Sequence, residues 1–342
     1  MKRPPYLKQG DCIAMVAPSF GVTTEPYATR YEAAKKNLMR LGYSIDEGPN
    51  VHRADGVVAS ASPEERAQEI MDALSGDFPL VLSVGGGELM NEMVPFLDFK
   101  KIRSLSPKWY MGFSDNTWLT FLLTTLCDWE TIYGPCAPSF YERPLRAGQL
   151  DAIKMLRGKR EFWGYPKWEK PNFAKQNEPK KERPPLWKAR YNSPKIITPF
   201  AYQAPMKGML LGGCLDILLC ICGTYLDQVK AFCKKQRTGV IWYLEACDLN
   251  VLSIRRGLTQ LKEAGWFDTA TGFLIGRPLA AYEDNYMGVD RIRAVTDVLE
   301  EWDVPILLDV DLGHLAPALP FRNGAMATIS YEKENIHIVY GK

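Results

Sequence analysis

Histidine is nearly absent from this chain: His52, His314 and His337 are the only three in 342 residues. Any chemistry that needs an imidazole base therefore has few candidates. Eight cysteines (12, 127, 136, 214, 220, 222, 233 and 247) include no Cys-x-x-Cys pair and sit mostly inside apolar runs. That argues against a structural zinc site and for reduced core thiols in a reducing compartment. Cys220-Ile221-Cys222, the closest pair, reads as core on a strand. No apolar stretch of roughly 7–15 residues follows Met1-Lys2-Arg3-Pro4-Pro5, so no secretory leader is expected. No apolar run approaches the ~20 residues of a membrane span. Net charge is only +2, so the balance asks for neither nucleic acid nor an anionic membrane. These absences predict a soluble, cytoplasmic protein.

What is present is an alternation of strand and helix patterns over the first ~160 residues, the signature of an α/β sheet. Cys12–Ala17 and Leu80–Val84 read as buried strands, and Tyr27–Leu41 as a helix stopped by Gly42. Ser62-Pro63-Glu64-Glu65 is a capping box with proline at the first helical position. Between Tyr165 and Lys195 the character changes to nine Lys or Arg against three Glu, with prolines, Trp168 and Trp187. This reads as a basic, irregular connection: a bland linker, or a segment folded over a ligand. A second α/β-patterned region follows, with strands at Gly239–Leu244, Gly272–Ile275, Ile306–Val310 and Ala327–Ser330. The expected organisation is residues 1–164, the connection 165–200, and residues 201–342.

Trp109–Phe113 reads as a short buried strand that ends at Ser114-Asp115-Asn116-Thr117, where a helix-like run begins. A serine at a sharp strand-to-helix turn presents its hydroxyl, and the next backbone N–H points at whatever that hydroxyl attacks. The pattern resembles a nucleophile elbow, with Asn116 where Gly-x-Ser-x-Gly has its second glycine. A plain helix N-cap accounts for the same residues.

Of the histidines, His337 alternates on a terminal strand and His52 follows a Gly-Pro-Asn turn; both read as surface positions. His314 sits at a glycine turn leaving a strand, in Asp309-Val310-Asp311-Leu312-Gly313-His314, where side chains are displayed. Asp309 and Asp311 share a strand face by alternation, yet no second histidine or cysteine lies at ligand spacing, so no metal is expected. Glu245 ends an otherwise apolar strand and needs a partner. That partner is Arg255 or Arg256, or else an imidazole that the carboxylate orients. Gly85-Gly86-Gly87 after a buried strand can cradle an anion, and suits an oxyanion better than a nucleotide phosphate because the phosphate-loop spacing is missing.

Taken in order, Gly-Phe-Ser114-Asp115, the strand-ending Glu245 and Gly-His314-x-x-Pro317 resemble the LD-carboxypeptidase family of serine peptidases, which includes the microcin C self-immunity peptidases. The similarity runs from Val16-Ala17-Pro18-Ser19 to Pro320-x-x-Asn323-Gly324. It implies a parallel-sheet α/β domain carrying the nucleophile Ser114 and a C-terminal α/β domain with a mixed sheet carrying Glu245 and His314. It also implies a homodimer with no metal or organic cofactor. Val84-Gly85-Gly86-Gly87-Glu88 departs from the family's Arg-Gly-Gly-Tyr-Gly, and the long Trp-containing connection looks more like the self-immunity branch.

The expected function is therefore a serine peptidase or amidase working by an acyl-enzyme, with the N–H groups of Asp115 and of the Gly85-Gly86 loop holding the oxyanion. The substrate is a small peptide or a peptidyl-nucleotide, with Trp168 or Trp187 stacked on a base. Two alternatives stand beside it: a murein tetrapeptide carboxypeptidase of cell-wall recycling, and a non-catalytic binder of a small anionic ligand. A cysteine hydrolase using Cys214 is a further option.

Overall fold

The computed structural model describes residues 1–172 and 184–341. The chain divides into two compact units: Met1–Lys159 with Pro320–Ala325, and Arg160–Leu319 with Met326–Lys342. Pro320–Ala325 returns to the first unit because Phe321–Asn323 pairs antiparallel with Thr131–Tyr133. The described parts of the expected separate connection, 165–172 and 184–200, fall within the second unit. Its ends pair with each other, Lys167–Trp168 against Ser193–Pro194. Of that stretch, residues 173–183 lie outside the described residues.

The sheet of the first unit runs in the order Phe321–Asn323, Thr131–Tyr133, Trp109–Gly112, Leu80–Ser83, Cys12–Val16, Ser44–Glu47. All pairs but the first are parallel. Strands covered on both faces read as unbroken apolar runs, and Leu80–Ser83 and Trp109–Gly112 are buried throughout. Helix Pro63–Ser75 starts where the capping box predicts: the Ser62 hydroxyl accepts the Glu65 N–H, and the Glu65 carboxylate accepts the Ser62 N–H. Helix Thr117–Cys127 is buried almost all round. Thr120, Thr124 and Thr125 make this tolerable by returning their hydroxyls to carbonyls one turn back.

In the second unit four parallel strands, Met206–Cys214, Val240–Glu245, Ala270–Gly276 and Ile306–Val310, form the sheet's centre. Antiparallel strands flank them: Met326–Glu332, Asn335–Tyr340 and Glu161–Trp163 on one side, Thr198–Phe200 on the other. Trp242 stacks on Trp266 with Phe267 edge-on, filling the core beneath Val240–Glu245. Helix Val251–Glu263 begins at Asn250, whose side chain accepts the Ser253 N–H. Cys220, expected in a core strand, lies instead on helix Leu215–Ile221 and is exposed, because a helix turns part of its circumference to solvent. Among the described residues no helix is long and apolar enough to cross a membrane.

Candidate active site

Ser114 sits in the first unit, immediately beyond Trp109–Gly112 and its extended neighbour Phe113. Its φ is +63°, the left-handed region that a residue with a Cβ rarely enters. Such a conformation costs on the order of 1–3 kcal/mol and persists only where neighbours enforce it. The neighbours are identifiable. The Ser114 N–H donates to the Tyr133 hydroxyl at 3.0 Å, and the Ser114 carbonyl accepts the Thr117 hydroxyl at 2.7 Å. Gly86 lies close by: a Cβ there would meet Ser114 Cβ at 3.2 Å and Oγ at 3.5 Å. The glycine loop expected to neighbour the serine is thus beside it.

Asn116, which from the sequence is only a departure from the elbow motif, ties the two segments together. Its amide donates to the Gly85 carbonyl at 2.8 Å and to the Phe113 carbonyl at 3.1 Å, while its oxygen accepts the Tyr110 hydroxyl. A glycine there would leave the loop unpinned. Asp115 is buried, and its Oδ2 accepts the Ser19 hydroxyl at 2.6 Å and the Met90 N–H at 3.1 Å. Its Oδ1 is buried with no hydrogen-bond partner among the described residues. Burial, outweighing these donors, pushes its pKa from 3.8 up to about 6.

In the second unit Glu245 and His314 come together. Glu245 closes its strand with its side chain fully buried, and His314 Nδ1 lies 2.9 Å from Glu245 Oε2. Arg255 and Arg256 go elsewhere, to Asp297 and to Ser253. Gly313 makes the approach feasible: its φ is +94°, and a Cβ there would sit 2.5 Å from Glu245 Oε2. Burial of the imidazole opposes its protonation, but the Glu245 carboxylate and hydrogen bonds with Cys247 and Glu245 prevail, raising the pKa from 6.5 to about 11. Cys247 is a partner that sequence reasoning missed; its place two residues after Glu245 is the available signal.

The remaining candidates are occupied otherwise. His52 bonds Glu47, and His337 stacks on Trp163 and bonds Glu161. Asp309 has φ +61° at a register shift in the sheet, which interrupts the expected alternation with Asp311. Arg291 binds Asp309, while Arg277 and Lys195 bind Asp311, so both carboxylates face cations of the chain itself. The Cys214 thiol donates to Asp216, and burial holds its pKa well above the usual thiol range, the opposite of an activated nucleophile. Trp168, expected to stack on a base, is only 3% exposed, with the Arg277 guanidinium 4.8 Å and the Tyr282 ring 5.0 Å from its ring. Trp187 is half-buried, with the Arg190 guanidinium 4.8 Å from its ring.

Comparison with known proteins matches residues 13–134 to the LD-carboxypeptidase N-terminal domain and residues 207–329 to the LD-carboxypeptidase C-terminal domain. The microcin C7 self-immunity protein MccF of Escherichia coli is 28% identical over 347 residues, covering 97% of this chain and 94% of that protein. An MccF-like protein from Bacillus anthracis has the same fold, with a TM-score of 0.80 at 23% identity over the whole of both chains. MccF solved in complex with aspartyl sulfamoyl adenosine gives a TM-score of 0.79 at 24% identity, covering 100% of this chain and 98% of that one. With both domains matched in order along its length, the chain belongs to the LD-carboxypeptidase family and is a serine-type peptidase.

Proposed function

We propose that Ser114, His314 and Glu245 act as a catalytic triad that cleaves a small peptide or peptidyl-nucleotide through an acyl-enzyme. The observation that carries this reading is the part-buried 2.9 Å contact between His314 Nδ1 and Glu245 Oε2. The carboxylate at Nδ1 fixes the imidazole's orientation for taking the Ser114 proton, and it stabilises the imidazolium that results. The upward pKa of His314 expresses the same preference. Ser114 then attacks the carbonyl, the N–H groups of Asp115 and Gly86 hold the oxyanion, and the imidazolium gives its proton to the leaving group. A water activated by neutral His314 releases the acyl group.

Substrate choice rests on other residues. Val84 ahead of the glycine loop brings no arginine to grip a peptide carboxylate. The described part of the connection carries Lys167, Lys170, Lys188 and Arg190 at its surface, with Lys170 paired to Glu283, and this basic surface suits an anionic leaving part. Together with the aspartyl sulfamoyl adenosine bound by MccF, these favour a peptidyl-nucleotide. Trp187 is the ring we assign to stack on its base. The murein tetrapeptide reading draws on the family's description as LD-carboxypeptidases.

Hydrolysis followed by mass spectrometry, with wild type and Ser114→Ala, tests both levels. The variant should lose roughly 10⁴–10⁶ in kcat, and a loss below about tenfold removes Ser114 from the reaction. Cleavage of a peptidyl-adenylate mimic alone supports the nucleotide reading. Release of terminal D-alanine from a murein tetrapeptide alone replaces it with wall recycling. Labelling of Ser114 by a serine-directed reagent, abolished in His314→Ala, separates either enzyme from an inert binder.

A further inference from the structure

Trp168 belongs to the connection, far in sequence from His314, yet it is tied to the turn that displays that histidine. Its ring stacks against Arg277, which is itself buried. Arg277 spends its guanidinium on the histidine turn: Nη1 donates to the Asp309 carbonyl at 2.9 Å, and Nη2 to Asp311 Oδ1 at 3.0 Å and the Leu315 carbonyl at 3.4 Å. These acceptors lie on both sides of His314. The connection adds three bonds of its own to the same turn. The Tyr165 N–H and Lys195 Nζ donate to Asp311 Oδ2 at 2.6 and 2.7 Å, and the Glu169 N–H donates to the Ala316 carbonyl at 2.9 Å. Tyr282, its ring tilted against that of Trp168, carries the Arg291 guanidinium, which grips Asp309. The connection thus shares in building the seat of His314.

We propose that Trp168 is a positioning residue for His314: stacked on Arg277, it holds the guanidinium that fixes both flanks of the histidine turn, so that seating of the connection and alignment of the imidazole with Glu245 are one event. The effect on rate rests on the triad reading above; the effect on the imidazole does not. A buried planar cation needs a partner over its face as well as acceptors at its edge, and a tryptophan ring supplies one. Loss of the ring frees Arg277 to move, and with it the Asp309 and Leu315 carbonyls and the Asp311 carboxylate it holds. A shift of about 1 Å in a proton-transferring group is enough to cost on the order of a hundredfold in rate.

The scarcity of histidine makes the test direct. In ¹⁵N-labelled full-length protein only three imidazoles give side-chain signals, assigned by substituting His52 and His337. Among the groups that act on the His314 ring are Glu245 and Cys247, and neither is itself altered by a change at Trp168. In Trp168→Ala the His314 titration should fall by more than one pH unit towards 6.5, while His52 and His337 titrate as in wild type. With a cleavable substrate, kcat should fall roughly 10–100-fold with KM within about twofold, and Trp168→Phe should restore most of it. An unchanged His314 titration in folded Trp168→Ala overturns the proposal. So does a raised KM with normal kcat, which would place the ring on the substrate. Should Trp168→Ala fail to fold, Trp168→Leu, which fills the space without a π face, is held to the same two results. If no substrate is cleaved by wild type, the titration alone decides, so failure of the triad reading remains separate.

Discussion

Replacing Asp115 by asparagine should flatten the pH dependence of stability of the first unit. Asp115 is 1% exposed, and burial raises its pKa from 3.8 to about 6. For a carboxyl raised in the folded state the sign is opposite to that of a salt-bridged one. Well below pH 3.8 the group is protonated in both states and costs nothing. Between about pH 4 and 6 the unfolded chain releases the proton first, so stability falls as pH rises. Above about pH 6 the full cost is present, and at about 1.36 kcal/mol per pH unit it comes to about 3 kcal/mol. The asparagine keeps an oxygen for the Ser19 hydroxyl and the Met90 N–H but cannot ionise. Its amide nitrogen would occupy the place of Oδ1, which has no partner among the described residues, at a cost that does not vary with pH. Urea unfolding of both proteins from pH 4 to pH 8 isolates the group, because the two proteins share every other carboxyl. The stability difference, variant minus wild type, should climb by about 2.5 kcal/mol across that range. Parallel curves would refute the reasoning, showing that Asp115 ionises as an ordinary carboxyl despite its burial.

Three further outcomes follow from the same geometry. Gly86→Ala should lower kcat roughly 10–100-fold with little change in melting temperature, because the new Cβ presses on Ser114 at 3.2 Å without a left-handed φ to strain; wild-type turnover would show that Ser114 can yield. Glu245→Gln should lower kcat by roughly 10⁴. Because the base form of His314 is the unprotonated one and its pKa is raised, kcat/KM should climb with pH above 6.5 in wild type, and loss of the carboxylate should move that acid limb downward; an upward or absent move contradicts the pairing. Trp187→Ala should raise KM for a peptidyl-adenylate mimic about tenfold, in line with the loss of one stacked base, and leave kcat in place; unchanged KM removes the ring from the site.

The residues legible in the sequence are those that break a local rule. Ser114 interrupts a strand-to-helix junction, Glu245 puts a charge at the end of an apolar strand, and Gly313 marks a turn that only a residue without a Cβ can make beside a carboxylate. Each violation needs a reason, and chemistry is the economical one. Strand and helix placement is legible for the same kind of cause, because burial on both faces leaves unbroken apolar runs and capping leaves a fixed spacing. The supporting residues break no local rule, so nothing near them in sequence signals a role. Asn116 looks like an ordinary cap until its amide is found on Gly85, and Lys195 looks like one of nine cations until its ammonium is found buried on Asp311, 116 residues away. Trp168 misleads for a related reason: composition says that a tryptophan in a basic loop faces a ligand, while the structure gives its ring to Arg277. The connection thus carries two tryptophans of different fates, one buried against the histidine turn and one half-exposed. If both statements hold, Trp168→Ala and Trp187→Ala must separate cleanly, the first in kcat and the second in KM, and a shared phenotype would defeat both assignments at once.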